Sequence, residues 1–597
     1  MFIMNYKYLI VGGGVAGTTA AETIRKNDPE GSLAIISDEP YRFYSRIMLS
    51  KPSFFLGKVP FDSVWLKKKE WYSDNKVELL KGKVATSLDS SKKVIKLDDG
   101  TEVGYEKLLL SIGAHARRWP IEGADKKGVH YYRTLEETKG ILDQLKDAKS
   151  AVLIGSGFVS FETADLLRMA GKEVTLVMME NYYWEPFLDE NSGKMIEASL
   201  EKAGVKIIHK MEVQKILGDE HVAGVILKDG TQIDCDMIVA GIGVVCDHKW
   251  LESSGLKRNR GILANEYLET SLPDVYTAGD SSEFNDLILG EVVQLGNWVN
   301  AQEQGKTAAI NMVGRERKPF KSVSFYTTQG LGLGIAMVGD VRPLPDRKVI
   351  VRGSPEEGAY GRIFIDTSGE IIGATLINRG GELMTLTKLI EQNIKMTGKE
   401  AELGDTDKDL KMLLATALAP VSVSGNGEAS AVPVEKPFEK IKVGWFSFSC
   451  CEDNTVIFTE VMNDHWQEWK KIFDFRHARV LKKHNIMDEF DVAFIEGAIA
   501  SPEHEAKLKD IRSRSKILVA VGACAVIGLP AGQRNTFTDD QKNAIQFLID
   551  KFGALPKVLK VADVVKVDAD IPGCPMDPKV FLEKTNAVVK MLRPELQ

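Results

Sequence analysis

The chain has 597 residues, of which 44% are hydrophobic and 27% charged, and its formal net charge is -7. One hydrophobic core rarely serves more than about 300 residues, so the length indicates three or four domains. The mildly acidic balance gives no sign of nucleic-acid binding. No apolar run reaches the roughly 18 residues of a membrane helix, and the N-terminus lacks a signal-peptide layout, so a cytoplasmic protein without membrane insertion is expected.

Two segments, residues 6–37 and 150–178, repeat one pattern of apolar strand, glycine-rich turn, helix and second apolar strand. We interpret each as a βαβ nucleotide-binding unit. In the first, Gly12 permits the tight turn, Gly14 lets a pyrophosphate approach, and Gly17 lets the helix pack on the strand. The pattern therefore predicts a dinucleotide site at the helix N-terminus.

A carboxylate at the end of the second strand of such a unit accepts hydrogen bonds from a ribose. Asp38 and Glu39 both stand there, and we slightly prefer Glu39.

The second glycine turn contains Gly155, Gly157 and, in place of the third glycine, Ser160. Its βαβ unit ends with Met178 at the usual acidic position and Glu180 two residues later. No Arg or Lys lies between Glu180 and Glu185 to neutralise a 2′-phosphate, so NAD(H) is favoured over NADP(H).

Four further stretches resemble the flavoprotein family with two dinucleotide-binding domains. They are LLLSIGA at 108–114, LPDVYTAGD at 272–280, the helix at 298–314, and YRFYSRIMLSK at 41–51. The last resembles the flavin-contacting segment of NADH-dependent ferredoxin or rubredoxin reductases and of nitrite reductases. The resemblance covers residues 5–415 and implies that the chain binds FAD and NAD(P).

The same resemblance implies roles for single residues around the FAD. Asp280 would bond the ribityl chain and Arg46 the phosphates, with Gly113 and Trp298 as further contacts.

Lys51 would pair with Glu162 beside the flavin ring, and an exposed surface pair is the alternative. No cysteine precedes Cys235, so this flavin is not expected to work through protein thiols. Cys235 and Cys246 flank an apolar strand and are interpreted as core residues.

The predicted fold class is α/β, with two Rossmann-like domains, a small α+β domain, and a C-terminal flavodoxin-like parallel α/β domain. Between 416 and 440 the sequence is rich in Ala, Ser, Pro, Gly and Val, which predicts a flexible linker. The predicted domains are FAD-binding at 1–117 and 247–322, NAD(P)-binding at 118–246, α+β at 323–415, and α/β at 441–597.

Four of the six cysteines lie in the last domain, at Cys450, Cys451, Cys524 and Cys574. Four thiolates are the ligand set of one 4Fe-4S cluster, and three turns at strand ends of one parallel sheet would meet at its carboxyl edge. Zinc is the alternative metal, although adjacent cysteines lack the spacing normal for zinc ribbons.

The cysteine contexts resemble the nickel-iron hydrogenase small subunit and the cluster-bearing subunit of respiratory complex I. The resemblance spans residues 441–597 and is supported by FIEGA at 494–498. The first two cysteines, Cys450 and Cys451, are adjacent, which is the spacing found in the complex I subunit and not the C-x-x-C spacing of hydrogenases. Phe448 stands where the first hydrogenase cysteine would be. The resemblance implies that the domain binds one cluster and that Glu452 takes part in proton movement. The alternative for Glu452 is an ordinary surface carboxylate.

The sequence thus predicts an electron-transfer subunit that links NADH, FAD and a cluster to a hydrogenase large subunit-like partner, possibly with further iron-sulfur subunits. NADH delivers two electrons and a cluster accepts one, so a flavin between them is chemically required. The alternatives are a relay that serves a partner other than a hydrogenase, and a redox-sensing or assembly protein.

Overall fold

A computed structural model describes residues 4–57, 59–418, 440–481 and 485–593. The chain divides into two compact units, Met1–Val423 and Ser424–Gln597, which we call the N-terminal and the C-terminal unit. Of the predicted linker, residues 416–418 belong to a helix, and 419–439 lie outside the described residues. In the described ranges, no helix is both long enough and apolar enough to cross a membrane.

The first domain of the N-terminal unit is built around an apolar strand, β1, whose last four residues are buried. β1 pairs in parallel with β2 on one side and with β6 on the other, and the sheet order is β3-β2-β1-β6-β5-β4. The elements are β1 (Met4–Val11), α1 (Val15–Asn27), β2 (Leu33–Ser37), α2 (Pro52–Phe55), α3 (Glu70–Asp74), β3 (Val77–Lys81), β4 (Ala85–Asp89), β5 (Val94–Leu97) and β6 (Glu102–Leu110).

The second domain repeats the glycine-turn unit. Its elements are β7 (His115–Ala116), β8 (Val129–His130), α4 (Leu135–Asp147), β9 (Ser150–Ile154), α5 (Phe158–Met169), β10 (Glu173–Val177), α6 (Glu190–Lys202), β11 (Val205–Ile208), β12 (Val213–Leu217), β13 (Gly224–Leu227), β14 (Gln232–Asp234), β15 (Met237–Ala240) and β16 (Val244–Val245). A parallel sheet of order β11-β10-β9-β15-β8 forms its centre, and β12, β13 and β14 form an antiparallel sheet.

The chain then returns to the first domain through β17 (Ile262–Ala264), β18 (Val275–Thr277), β19 (Ser282–Asp286), β20 (Glu291–Gln294) and α7 (Trp298–Val313). β18 pairs in parallel with β6 and extends the first sheet. Gly305 of α7 allows close helix contact, since a Cβ atom there would lie 2.2 Å from the carbonyl oxygen of Ala16 in α1. The first sheet and its helices therefore combine two separate stretches of sequence.

An antiparallel five-stranded sheet, of order β21-β22-β25-β24-β23, forms the third domain. The elements are β21 (Phe325–Gly330), β22 (Leu333–Gly339), β23 (Lys348–Ser354), β24 (Ala359–Ile365), β25 (Ile371–Ile377), α8 (Leu383–Glu391), α9 (Glu400–Gly404) and α10 (Leu410–Leu418). Leu386, Leu389 and Ile390 give α8 an apolar face that packs in one core with the sheet.

The C-terminal unit contains β26 (Ile441–Ser447), α11 (Asp453–Ile472), β27 (Phe473–Ala478), β28 (Phe490–Glu496), α12 (Pro502–Ser513), β29 (Ser515–Val521), α13 (Gly522–Ile527), α14 (Asp539–Lys551), β30 (Ala569–Ile571) and α15 (Pro578–Leu592). All strand pairs are parallel, in the order β27-β26-β28-β29-β30. This is the flavodoxin-like order 2-1-3-4-5. The predicted α/β fold class is confirmed.

Alternate side chains of this sheet enter two different cores, as expected for a sheet covered on both faces. Trp445 of β26 and Phe494 of β28 pack on one face, with the Trp445 ring stacked 4.3 Å from Phe458 of α11. Phe446 and Ile495, the next residue of each strand, pack in the core of the other face. Both faces are thus covered, and the carboxyl edge is left for functional loops.

Candidate functional site

The first glycine turn has the geometry that a bound pyrophosphate requires. Gly12 has a φ of +116°, and a Cβ atom there would lie 2.0 Å from the carbonyl oxygen of Ser111. A Cβ atom at Gly17 would likewise lie 2.0 Å from the carbonyl oxygen of Gly12. Gly14, the N-cap of α1, faces open space. The helix N-terminus therefore opens onto a free cradle.

A cleft extends from this cradle and gathers the residues predicted for FAD. Its lining includes Gly12, Gly14, Asp38, Glu39, Arg46, Gly113, Asp280 and Trp298. Trp298 begins α7 and stacks on Phe43, with ring centres 5.8 Å apart. The residues present therefore fit a dinucleotide with an extended phosphate-bearing chain.

The two candidate ribose carboxylates differ in what they contact. Glu39 forms an ion pair with Arg46, and its other oxygen accepts a hydrogen bond from the Tyr44 hydroxyl at 2.6 Å. Arg46 also donates to the carbonyl oxygen of Arg133 at 2.6 Å. Asp38 is exposed on the cleft wall, and its carboxylate has no hydrogen-bond partner in the described part of the chain. Glu39 is thus already engaged within the protein, whereas the carboxylate of Asp38 faces the cleft without such a partner in the described residues.

Asp280 has a partner that the sequence did not indicate. Its carboxylate oxygen Oδ2 lies 2.5 Å from Nη2 of Arg133, whose Nε donates to the carbonyl oxygen of Ala114 at 2.7 Å. Arg133 follows β8 and belongs to no motif, so no sequence signal marks it. The pair places one cation and one carboxylate on the cleft wall.

Of the two cysteines interpreted as core residues, only Cys235 lies in the core. Burial raises the pKa of its thiol to about 12. Cys246 is only half-buried, and its Sγ lies 3.3 Å from the carbonyl oxygen of Asp280 and accepts a hydrogen bond from Gln294. Burial raises its pKa to about 11, so both thiols are uncharged at neutral pH.

Lys51 and Glu162 meet, as predicted, with Nζ and Oε1 2.5 Å apart. Two neutral donors join them: the Thr328 hydroxyl bonds Oε1 at 2.7 Å, and the Ser50 hydroxyl bonds Oε2. The side chains of Lys51 and Glu162 are 31% and 14% exposed, so the pair is partly buried. One carboxylate of α5 thus joins the first domain, through Ser50 and Lys51, to β21 of the third, through Thr328.

The second glycine turn offers a similar cradle, because Gly157, the N-cap of α5, faces open space. Ser160 is buried against β9 in place of a third glycine. Met178 is fully buried and cannot reach a ribose. Oε2 of Glu180 is buried without a hydrogen-bond partner in the described residues. An orphaned carboxylate oxygen at this strand end fits a ribose hydroxyl donor.

The four remaining cysteines lie at one edge of the C-terminal sheet, as predicted. Cys450 and Cys451 follow β26, Cys524 lies in α13 directly after β29, and Cys574 follows β30. All four are free thiols. In the described ranges, however, no three His, Cys, Asp or Glu side chains are grouped closely enough to hold a metal ion. Four thiols on one edge of the sheet are suitable donors for an iron-sulfur cluster, but in this structure their sulfur atoms are not close enough together to form a metal site.

Burial, and to a lesser extent Glu496, raises the pKa of Cys450 to about 12. Burial also raises the pKa of Cys524. Cys451 and Cys574 are exposed. Buried thiols near a carboxylate stay protonated unless a cation binds them, so any metal would displace their protons.

The two carboxylates of this edge differ in exposure. Glu452 is exposed and has a left-handed φ of +63° at the N-cap of α11. Glu496, at the end of β28, is fully buried.

The fold and the two cradles define a flavoprotein with separate sites for FAD and a nicotinamide dinucleotide, followed by a parallel α/β domain with a cysteine-bearing edge. The chain belongs to the pyridine nucleotide-disulphide oxidoreductase family, which it matches over residues 6–305. Residues 325–414 match the reductase C-terminal family, and residues 451–588 match the 20 kDa subunit of NADH ubiquinone oxidoreductase.

Known relatives agree with this assignment. Nitrite reductase [NAD(P)H] of Bacillus subtilis is 31% identical over 68% of this chain, which spans 49% of that protein. The biphenyl dioxygenase system ferredoxin–NAD(+) reductase component of Paraburkholderia xenovorans is 28% identical over 68% of this chain and 97% of its own length. A putidaredoxin reductase–putidaredoxin complex matches with a TM-score of 0.66 at 26% identity, over 70% of this chain and 100% of the matched chain.

The chain is therefore an FAD-dependent NAD(P)H oxidoreductase, as predicted. Its C-terminal unit resembles the 20 kDa complex I subunit, and that match includes Cys451, Cys524 and Cys574.

Proposed function

We propose that this chain is an electron-transfer subunit that links NADH to a partner subunit through FAD and one 4Fe-4S cluster. The observation that carries the proposal is the set of four free thiols on three loops at one carboxyl edge, in a chain that also contains an FAD-dependent reductase. FAD supplies the conversion between two-electron and one-electron transfer, and a cluster carries single electrons.

In the FAD site, the α1 N-terminus at Gly14 would hold the pyrophosphate and Asp38 a ribose. Arg46 would bind phosphate oxygens while Glu39 and Tyr44 fix its guanidinium. Asp280 would accept hydrogen bonds from the ribityl hydroxyls. Its ion pair with Arg133 supports this role, because it fixes the position of the carboxylate on the cleft wall.

In the nicotinamide site, the orphaned oxygen of Glu180 would accept a ribose hydroxyl, which favours NADH over NADPH. The Glu162 carboxylate, held by Lys51, Ser50 and Thr328, would orient the nicotinamide beside the flavin. Hydride transfer requires a short distance between the nicotinamide and the flavin, and a carboxylate held in one position would help to set that distance.

The partner proposed for the C-terminal unit is a protein similar to a hydrogenase large subunit. Large apolar side chains follow Cys524: Ile527, Leu529, Phe547 and Phe552 are between 41% and 72% exposed. Exposed apolar groups of this size favour a protein contact. Glu452 is exposed and directly follows Cys451, and we propose that it exchanges protons with the partner at this surface.

A partner other than a hydrogenase is the second candidate. Two relatives are named as an assimilatory nitrate reductase electron transfer subunit and as subunit epsilon of an NADH-dependent phenylglyoxylate dehydrogenase, and neither name refers to a hydrogenase. Co-purification of the native complex followed by nickel analysis tests the first candidate, since a nickel-iron hydrogenase partner brings nickel and a complex without nickel excludes it.

Anaerobic reconstitution with iron, sulfide and FAD tests the proposal. We expect about four irons and one FAD per chain, by the ligand count of such clusters. Cys524→Ser should lose the iron and keep the flavin, whereas Cys235→Ser, in the core of the N-terminal unit, should keep both. Wild-type protein that binds flavin and no iron would overturn the cluster, and binding of a single zinc would replace it with a structural site.

A further inference from the structure

A buried asparagine contacts all three cysteine-bearing segments of the C-terminal unit. We call the segments that follow β26, β29 and β30 the first, second and third cysteine loops, although Cys524 of the second lies in the first turn of α13. Asn454 lies in the first turn of α11, three residues after Cys451, and is 5% exposed. Its Oδ1 accepts a hydrogen bond from the backbone amide of Met576, two residues after Cys574, at 2.7 Å. The first and third cysteine loops are thereby joined through one side chain.

The loop of Cys524 touches the same side chain. Gly522 begins α13 with a φ of +81°, and a Cβ atom there would lie 2.2 Å from Nδ2 of Asn454. Only glycine leaves room for the asparagine amide at this position. The next residue, Ala523, donates its backbone amide to the carbonyl oxygen of Gly573 at 2.6 Å, which ties the second loop to the third.

Glu496 fixes the orientation of Asn454. Its Oε1 accepts hydrogen bonds from both the backbone amide and Nδ2 of Asn454, each at 3.1 Å. Its Oε2 accepts from the hydroxyls of Thr455 and Ser447. Glu496 is 0% exposed and has no ion-pair partner in the described ranges, so neutral donors alone satisfy this carboxylate. Because Glu496 accepts from Nδ2, the oxygen Oδ1 of Asn454 must face Met576.

We propose that Asn454 is the positioning residue that sets the spacing of the three cysteine loops, and that Glu496 holds it in place. The inference rests on the proposed cluster, because the loops need fixed spacing only if their thiols bind one group. Groups that orient metal ligands without touching the metal change its affinity and properties by amounts of about 10-fold to 100-fold.

The test uses three variants of the full-length, reconstituted protein. Asn454→Ala removes the side-chain bonds to Met576 and Glu496 and keeps the backbone bond to Glu496. Asn454→Asp keeps an acceptor for Met576 but places a second carboxylate against Glu496. Asn535→Ala is the control, because Asn535 also makes two side-chain bonds, both to the backbone of Val558 at 2.8 Å, and Val558 packs beside Cys524. It therefore removes two bonds near the cysteines without removing those to Met576 and Glu496. Flavin content and circular dichroism check that each variant is folded.

Two measurements decide the outcome. Both Asn454 variants should lower iron affinity about 10-fold or more and change the electron paramagnetic resonance spectrum of the reduced cluster, while Asn535→Ala changes neither. In apo protein, exchange of the Met576 amide hydrogen should rise about 10-fold in Asn454→Ala and stay unchanged in Asn535→Ala.

Unchanged iron affinity and spectrum in folded Asn454→Ala would overturn the proposal, as would an equal effect of Asn535→Ala. If wild-type protein binds no iron, the cluster proposal fails on its own. Amide exchange in apo protein then still shows whether Asn454 connects the loops, and unchanged exchange at Met576 would refute that connection.

Discussion

The substitution Thr328→Val tests whether Glu162 must be held from the third domain. Thr328 is 5% exposed, and its hydroxyl donates to Oε1 of Glu162 at 2.7 Å. Valine has nearly the same shape, so the change removes one donor without opening a cavity. Thr327 is exposed on the opposite face of β21, and Thr327→Val serves as the matched control.

The expected magnitude comes from the kind of hydrogen bond removed. A bond to a charged group contributes about 1.5 to 3 kcal/mol. Glu162 keeps Lys51 and Ser50, so we take the lower end, about 1.5 kcal/mol. If this energy holds the carboxylate where it orients the nicotinamide, hydride transfer should slow about 10-fold.

Anaerobic stopped-flow spectroscopy measures this step directly, as loss of oxidised flavin absorbance after mixing with NADH. We expect the limiting rate constant to fall about 10-fold in Thr328→Val, to recover in Thr328→Ser, and to stay at the wild-type value in Thr327→Val. A Thr328→Val rate within about twofold of wild type, at full flavin occupancy, would refute the role given to Glu162.

Three further predictions concern the nucleotide sites and acid stability. Glu180→Ala should reduce the ratio of kcat/KM for NADH over NADPH about 10-fold, because the acceptor for the ribose is lost; an unchanged ratio would place NADH selectivity elsewhere. Asp280→Ala should weaken FAD binding about 10-fold or more and leave Arg133 unpaired, as measured by flavin release on dilution. Burial lowers the pKa of His130 from 6.5 to about 4, so the unfolded chain binds its proton first and stability falls as pH drops from 6.5 to 4. In chemical denaturation, His130→Gln should therefore lose less stability than wild type between those pH values, by about 1 to 2 kcal/mol after allowance for partial exposure.

The sequence predicted features that depend on neighbouring residues. Gly12, Gly14 and Gly17 mark a turn because their backbone and packing needs are local. The structure shows close backbone contacts at Gly12 and Gly17 and open space at Gly14. The shared edge of Cys450, Cys524 and Cys574 follows from the rule that carboxyl ends of parallel strands lie together.

Pairings across domains could not be predicted in this way. Thr328 and Glu162 are 166 residues apart, and Arg133 and Asp280 are 147 apart. No periodicity connects such positions, because the arrangement of the domains brings them together. The contacts of Glu39 could not be predicted for the same reason, since spacing does not reveal that Arg46 and Tyr44 engage this carboxylate.

Asn454 is a third case, in which the sequence shows the position of the residue but not its contacts. Its position three residues after Cys451 is visible in the sequence, but its contacts with Met576 and Gly522 depend on how α11, α13 and the last loop meet. A buried asparagine in the first turn of a helix is an ordinary feature until its partners are known.

Electron paramagnetic resonance of reconstituted, full-length protein, reduced once with NADH and once with dithionite, tests the central claim most directly. We predict bleaching of the flavin by NADH and the signal of one reduced 4Fe-4S cluster, with that signal absent from Cys524→Ser. A protein whose flavin is bleached by NADH but which gives no cluster signal even with dithionite would contradict the account.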